Sequence, residues 1–352
     1  MWSATVKEYL LKTSVVALCP VTVGFNLSTS RAELGSLGLT PGSSTTLPAD
    51  RMELIRLSLQ RTRGRLPFPR GGGGVANTAD LLARAGVSCG IIGVGGKDTF
   101  GKDYVVSCGR SSLLFLSALV NGAKTGYDIY LVDEYGTRTI IATPGANSLL
   151  SPALLNIGAL QNSDLILLDG ALLSYGPESE AAVLHCAKVA ETANVPFVLA
   201  LESIEIVESY RSYFDVLSPR AQMVVGNLEQ VAVLVGLPPS TLLESVRDKL
   251  RKTSINAIIT LDVEGAFARF GKEEYLVHTQ ELDAVDSTGA GDAFLAGFLL
   301  ARGKGYSAQK ALTVGNLVSR EVIQHDSARL PENVDVPLIL KEKFRIIESM
   351  DI

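Results

Sequence analysis

The sequence predicts an α/β fold in which a mainly parallel sheet carries helices on both faces. Three observations predict it. From residue 164 onward, short apolar runs (164–170, 196–202, 223–226, 257–262) alternate with stretches of helical spacing such as 177–193. The runs are apolar along their length, as strands covered on both faces are. The intervening helices return the chain for parallel pairing through right-handed crossovers.

Taken in order, residues 14–25 (SVVALCPVTVGF) read as one buried strand punctuated by Pro20 and Gly24. Residues 26–50 are polar, small and glycine-rich, which suits exposed or lid-like structure. Residues 50–60 have helical spacing with Asp50 as cap, and 61–70 form a basic, proline-bearing connector. That connector is either a solvated loop or a source of phosphate contacts from Arg63, Arg65 or Arg70. Gly71 to Gly74 make a flexible turn before a helix that ends at Gly86, and a short strand, VSCGIIGV, follows. Residues 125–142 alternate in character about a turn at 134–136, so they form a hairpin among the βα units, a side-sheet able to cover a site. A second hairpin turns at Gly271, and helices follow Asp292 and Ser307. Ligands in such sheets sit beyond the C-terminal strand ends. Asp169, Gly170, Glu202, Asn227, Asp262 and the 286–292 turn all fall there.

A chain of 352 residues with 47% hydrophobic content buries a large core. The net charge of −5 argues against a general nucleic-acid binder. The four cysteines form no CxxC pair and the three histidines are isolated, which argues against zinc and against a histidine-based triad. No apolar run reaches the ~20 residues of a membrane span, so the expectation is a cytoplasmic protein without membrane contact. The four glycines at 71–74 are not a P-loop, since no Gly-Lys-Ser/Thr follows, and GVGGKD lacks the dinucleotide spacing.

The stretch DAVDSTGAGDAFLAGFL (283–299) carries the chemistry. A β-compatible segment ends near Val285, a turn of small residues follows, and Asp292 opens an apolar helix. The Gly289-Ala290-Gly291 turn lets backbone N–H groups approach an anion at a helix N-terminus. A carboxylate beside an anion site makes sense where it takes a proton from a hydroxyl while the N–H groups hold a phosphoryl group. This points to phosphoryl transfer with Asp292 as base.

That stretch closely resembles the C-terminal signature of the PfkB sugar-kinase family, the ribokinase and adenosine kinase group. RGGGGVANTADLLARAG resembles the family's first signature, GVGGKDTFG its glycine-and-acid segment, and TGYDIYLVDEYGTRTIIATPGAN its lid hairpin. The resemblance implies a ribokinase-like three-layer α/β/α sandwich with a small β-lid. It implies one kinase domain over 1–352, with lid elements around 26–70 and 120–145. It further implies ATP with Mg²⁺ as cofactors, and transfer to a primary hydroxyl of a furanose sugar or, alternatively, of a nucleoside. Carried over residue by residue, Asp292 is the base and Gly289, Ala290 and Gly291 the anion hole; Asn26, Gly72, Gly73 and Asn77 bind the acceptor. Asn227, Thr260, Gly265 and Asn316 meet the nucleotide, Glu229 serves Mg²⁺, and Asp286 serves a monovalent cation. A homodimer through the lid is also implied. Phe25, Phe68, Tyr127 and Tyr130 are candidate clamps for a purine.

Two departures bear on activity. The family's Asn-x-x-Glu reads Asn227-Leu228-Glu229-Gln230, and the Asp that binds sugar hydroxyls after the first strand is missing, leaving Asn26, Ser28 and Thr29. They support a second alternative, a non-catalytic regulatory member of the family.

Overall fold

The computed structural model describes residues 14–64, 66, 70–280 and 282–349. The chain begins β1 (Ser14–Leu18), β2 (Thr22–Ser28), α1 (Arg31–Ser36), β3 (Ser44–Thr46), α2 (Ala49–Arg63), β4 (Arg70–Gly72), α3 (Gly74–Arg84), β5 (Ser88–Ile92), α4 (Thr99–Arg110) and β6 (Leu113–Phe115). The hairpin strands β7 (Thr125–Val132) and β8 (Arg138–Gly145) follow, then α5 (Ile157–Gln161), β9 (Leu165–Asp169), α6 (Pro177–Ala193), β10 (Phe197–Ala200), α7 (Ile204–Ser209) and α8 (Arg211–Leu217). The remainder is β11 (Met223–Asn227), α9 (Leu228–Leu234), α10 (Leu243–Leu250), β12 (Ala257–Thr260), β13 (Ala266–Phe270), β14 (Glu273–Val277), α11 (Ala290–Gly303), α12 (Ala308–Val322) and α13 (Val336–Glu348).

Among the described residues the main sheet has nine strands in the order β14-β13-β12-β11-β10-β9-β1-β5-β6. It is parallel from β12 to β6, and β13 and β14 add an antiparallel edge. Alternate residues of β1 enter two separate cores. Val15 and Ala17 join Leu82 of α3, Phe294 and Phe298 of α11, Leu312 of α12 and Phe344 of α13. Val16 and Leu18 join Val183 of α6, Phe214 of α8 and Val231 of α9. The period-two strand thus feeds helices on both faces, which makes three layers.

A second sheet, ordered β3-β8-β7-β2-β4, stands apart from the first. Residues 14–25, expected to form one strand, are two: β1 belongs to the main sheet and β2 to the small one, because Cys19-Pro20-Val21 carries the chain across. Proline supplies no N–H for a continuous ladder, so the strand breaks there. One face of the small sheet packs Val23, Phe25, Tyr127 and Ile129 against Met52, Ile55 and Leu59 of α2. Its base is pinned by two side chains. Asn147 Oδ1 accepts from Val21 N–H at 2.8 Å and its Nδ2 donates to the Val21 and Pro144 carbonyls at 3.0 and 2.9 Å. Asp98, the N-cap of α4, accepts from Thr125 N–H and Oγ1 at 2.9 and 2.6 Å.

The strand expected to end near Val285 does not form; Val285 is exposed, and its N–H bonds to Ile323 O at 2.9 Å. Residues 65 and 67–69 of the basic connector, with Arg65 and Phe68, lie outside the described residues. Arg63 is structural: its guanidinium pairs with Glu33 at 2.6 Å and donates to Ser28 O at 2.7 Å.

Candidate active site

The 286–292 turn lies against the N-terminal half of α3. Asp292 sits in the first turn of α11, whose N-cap Gly289 has φ 79°. Ala290 N–H donates to Ser287 O at 3.2 Å. The N–H groups of Gly289, Gly291 and Asp292 have no acceptor among the described residues, so the helix start presents free donors and the positive dipole end. The Asp292 carboxylate accepts from Asn77 Nδ2 at 2.8 Å, and the Asp292 carbonyl accepts from Thr78 Oγ1 at 3.0 Å. Of the acceptor candidates, Asn77 therefore meets the candidate base directly.

Three carboxylates approach the start of α3. A Cβ placed on Gly74 would stand 3.1 Å from Glu202 Oε2, 3.3 Å from Asp169 Oδ2 and 3.8 Å from Asp292 Oδ1. Asp169 ends β9 and is fully buried, held by Ala171 N–H at 3.0 Å and more weakly by Val75 N–H at 3.4 Å. Glu202 follows β10 at φ 69° and its carboxylate accepts no hydrogen bond among the described residues. Asp128 on β7 turns its carboxylate to Thr22 Oγ1 at 3.1 Å. Tyr130, two residues on and so on the same face, lies across Gly24 and feels the charges of Asp128, Glu202 and Asp292.

Protein mass surrounds these groups, yet Asp128 and Asp292 are half-buried and Glu202 is exposed, because they line an open cleft under the small sheet. Desolvation pushes Asp292 up to about 7; the Asn77 hydrogen bond and the Arg329 cation oppose that rise, and the Asp169 charge adds to it. Burial likewise lifts Asp169 and Asp128 to about 6 each. Glu202 rises to about 8 by desolvation and then by its acidic neighbours. The cluster therefore titrates as a group across neutral pH. No three histidine, cysteine or acidic side chains among the described residues come close enough to cage a metal.

The nucleotide candidates gather beyond β11 and β12. Asn227 and Thr260 are register partners at adjacent strand ends. Gly265 closes the following turn at φ 115°, where a Cβ would stand 2.0 Å from Val277 O. Asn316 is buried on α12, and its Nδ2 is a donor without a partner among the described residues. Asn227 and Gln230 form a reciprocal cap on α9 at 2.9 Å each way, and Gln230 Nε2 also donates to Glu202 O. Gln230 is thus tied into the scaffold, while Glu229 is exposed beside it.

Other candidates are placed less centrally. Gly72 lies in β4 paired with Thr22, and Gly73 is the N-cap of α3 at φ 107°. Asn26 is exposed on β2 opposite Tyr130. Phe25 and Tyr127 pack with Phe100 in the core behind the small sheet, so of the described aromatic candidates Tyr130 alone turns to the cleft. Asp286 accepts from Thr288 N–H and Oγ1 at 2.9 and 2.6 Å and pairs with Arg138 of β8. Burial would raise Asp286, but Thr288 and Arg138 outweigh it and hold it below the ordinary carboxylate range. A guanidinium already neutralises this carboxylate, which does not suit a monovalent cation there.

Sequence reasoning gave no role to Asp128, Arg138, Asp169 or Glu202. The last two had a signal, since both sit at strand C-ends; Asp128 had a weaker one, its period-two relation to Tyr130. Among the described residues no helix is long and apolar enough to cross a membrane.

A 27% identical relative, an uncharacterized sugar kinase of Archaeoglobus fulgidus, aligns over 72% of this chain and 99% of its own length. A 5-dehydro-2-deoxygluconokinase of Shouchella clausii is 25% identical over 77% of this chain and 86% of its own. Among solved structures, adenosine kinase from Sinorhizobium meliloti superposes with a TM-score of 0.83 at 24% identity, covering 94% of this chain and 99% of that one. This likeness shows the ribokinase-like fold. The pfkB family carbohydrate kinase profile matches residues 67–334, and the chain belongs to that family.

Proposed function

We propose that this protein is an ATP-dependent kinase that phosphorylates a primary hydroxyl of an uncharged furanose sugar, with Asp292 as general base. The observation that carries the reading is the Asp292 carboxylate at a helix start with free N–H groups. The acceptor oxygen attacks the γ-phosphorus, the bond to the bridging oxygen of ADP breaks, and the hydroxyl proton passes to Asp292. The N–H groups of Gly289, Gly291 and Asp292 take the charge that develops on the phosphoryl oxygens. A base near 7 is matched to this task at neutral pH.

Mg²⁺ brought in with ATP would take most of its ligands from phosphate and water and would supply charge neutralisation there, so a complete protein cage is unnecessary. Glu229 is the side chain offered to it beside the Asn227–Thr260 strand ends, and the Arg138 pairing weighs against Asp286 as a monovalent-cation ligand. The orphan Asn316 Nδ2 suits a ring nitrogen of the adenine. Asp128 and Glu202, which face the cleft, accept hydrogen bonds from sugar hydroxyls, replacing the Asp that the chain lacks after its first strand. They repel anionic acceptors, and Arg138 is already neutralised by Asp286. This disfavours a sugar acid of the kind for which the Shouchella relative is named. A nucleoside is the second reading, favoured by the Tyr130 ring at the cleft.

The protein works as one kinase unit with the small sheet as lid. The lid edges β3 and β4 suit pairing with a second copy.

A panel of neutral sugars, sugar acids and nucleosides with Mg·ATP, scored by ADP release and product mass, tests the reading. Product from neutral sugars is expected. Asp292→Asn should lose about 10²–10⁴-fold in turnover while still binding ATP. Full turnover by that variant removes Asp292 from the chemistry, and ATP binding without product from any acceptor favours the regulatory alternative.

A further inference from the structure

One face of α3 contacts the loop that follows α12. Asn77, Asp80 and Arg84 recur at the i, i+3 and i+7 spacing that shares a helix face. Arg84 donates to the carbonyls of Leu330, Pro331 and Val334 at 2.6, 2.7 and 3.0 Å, fixing the loop. Arg329, from that loop, inserts a guanidinium with 13% of its side chain exposed. Its Nη1 meets Asp80 Oδ1 at 3.1 Å and its Nε donates to Asn77 Oδ1 at 2.8 Å. Asp80 is itself buried and accepts from Ser111 Oγ at 2.6 Å.

We propose that Arg329 is a positioning residue for Asp292, locking the Asn77 amide in one orientation and, through it, holding the Asp292 carboxylate ionised and aimed. The proposal rests on the reading of Asp292 as base. An amide has one oxygen and one nitrogen end. Arg329 donates, so the oxygen must face it, and the N–H₂ end is left for Asp292 Oδ2 at 2.8 Å. The cation also stands one amide away from the carboxylate, and its charge favours the ionised form. Against it acts the charge of Asp169, while Glu202, Asp128, Tyr130 and the Asp286-paired Arg138 face the same cleft. Arg329 is the cation among these not turned to the cleft, so substrate binding leaves it in place.

The sign follows from charge. Arg329→Met removes the cation and should move the Asp292 midpoint upward by about one pH unit, for one charge ~8 Å away at an effective dielectric constant of about 20–40. Asp80→Asn removes the anion that offsets the guanidinium and should move the midpoint downward. A merely structural role would not give opposite signs. Arg329→Lys keeps the charge without the Nε–H, so the midpoint should stay near the wild-type value while turnover falls.

The readouts are the acid limb of kcat/KM against pH with D-ribose and Mg·ATP, and a carbon-13 carboxyl titration of aspartate-labelled protein without acceptor. Asp292→Asn identifies the Asp292 signal by its absence. An upward shift in Arg329→Met, a downward one in Asp80→Asn and an unchanged KM for ATP support the proposal. A midpoint that stays within about 0.3 units in Arg329→Met, or rises in Asp80→Asn, overturns it. If Arg329→Met fails to fold, Asp80→Asn still decides the sign. Full turnover by Asp292→Asn is a separate failure, that of the base assignment, and the carboxyl titration reports on the Arg329 coupling independently of it.

Discussion

Replacing Gly289 and Gly291 singly by alanine separates the architecture of the anion turn from its chemistry. At Gly289 the backbone has φ 79° and an added Cβ would stand 2.3 Å from Ala328 O and 2.7 Å from Ala328 Cα. Left-handed alanine costs roughly 1–2 kcal/mol. Relieving the clash requires the turn or the 327–330 backbone to move by roughly 1 Å, adding about 1–3 kcal/mol. A displacement of that size at the phosphoryl site costs about 10²-fold in turnover. Gly291→Ala is the opposite case. Beyond its own helix turn, its Cβ would meet no atom of the described residues within 4 Å, and the residue is exposed in the first turn of α11. Alanine there should stabilise by about 0.5–1 kcal/mol through helix propensity while its methyl obstructs the incoming phosphate. Thermal melts and steady-state ADP release measure both effects. Gly289→Ala should melt several degrees lower and turn over about 10²-fold more slowly; Gly291→Ala should melt no lower but lose activity. Near-normal turnover by Gly289→Ala, or a larger loss of stability in Gly291→Ala, would refute the reasoning.

Three further outcomes follow from the same contacts. Asp169 is fully buried and lifted to about 6, so the folded state holds a proton that the unfolded chain releases sooner. Stability should therefore fall as pH rises from about 4 to 6, and Asp169→Asn should flatten that fall by on the order of 2–3 kcal/mol in denaturant titrations at the two ends. Arg138→Gln frees the lid strand from Asp286 and should raise acceptor KM about three- to tenfold with less than about 1 kcal/mol change in stability; unchanged KM would show the pair to be incidental. Gln230→Ala removes the reciprocal cap on α9 and the donor to the Glu202 carbonyl, and should cost about 1–2 kcal/mol in a thermal melt. Gln230→Glu keeps the cap acceptor but lacks the Nε2 donor, so it should fall between the two.

The parallel sheet was legible because β9 to β12 are apolar runs with helical segments between them, a local pattern that burial on both faces imposes. The anion turn was legible for the same reason: glycine spacing and a following helix are properties of one short stretch. The break at Pro20 was misread because Val15–Leu18 and Val21–Phe25 are equally apolar, and nothing local says that they enter different sheets. Asp286 was legible as a conspicuous acid but not as the partner of Arg138, since that pairing spans 148 residues. Arg329 had no signal, because a loop arginine acquires meaning only once α3 packs beneath it. Gln230 looked like a lost metal carboxylate, yet its hydrogen bonds tie α9 to the residue after β10.

The central place of β1 also governs how the molecule comes to be made. It pairs with β5 on one side and with β9 on the other, and β2 pairs in turn with β7. β1 therefore has β5 available once residue 92 is made, but its other neighbour, β9, only when residue 169 has been synthesised. Loop closure over such separations is slow, and unpaired apolar strands are prone to aggregate. The main sheet around β1 thus waits for the middle of the chain, and the cleft waits longer still, until the 286–292 turn reaches α3.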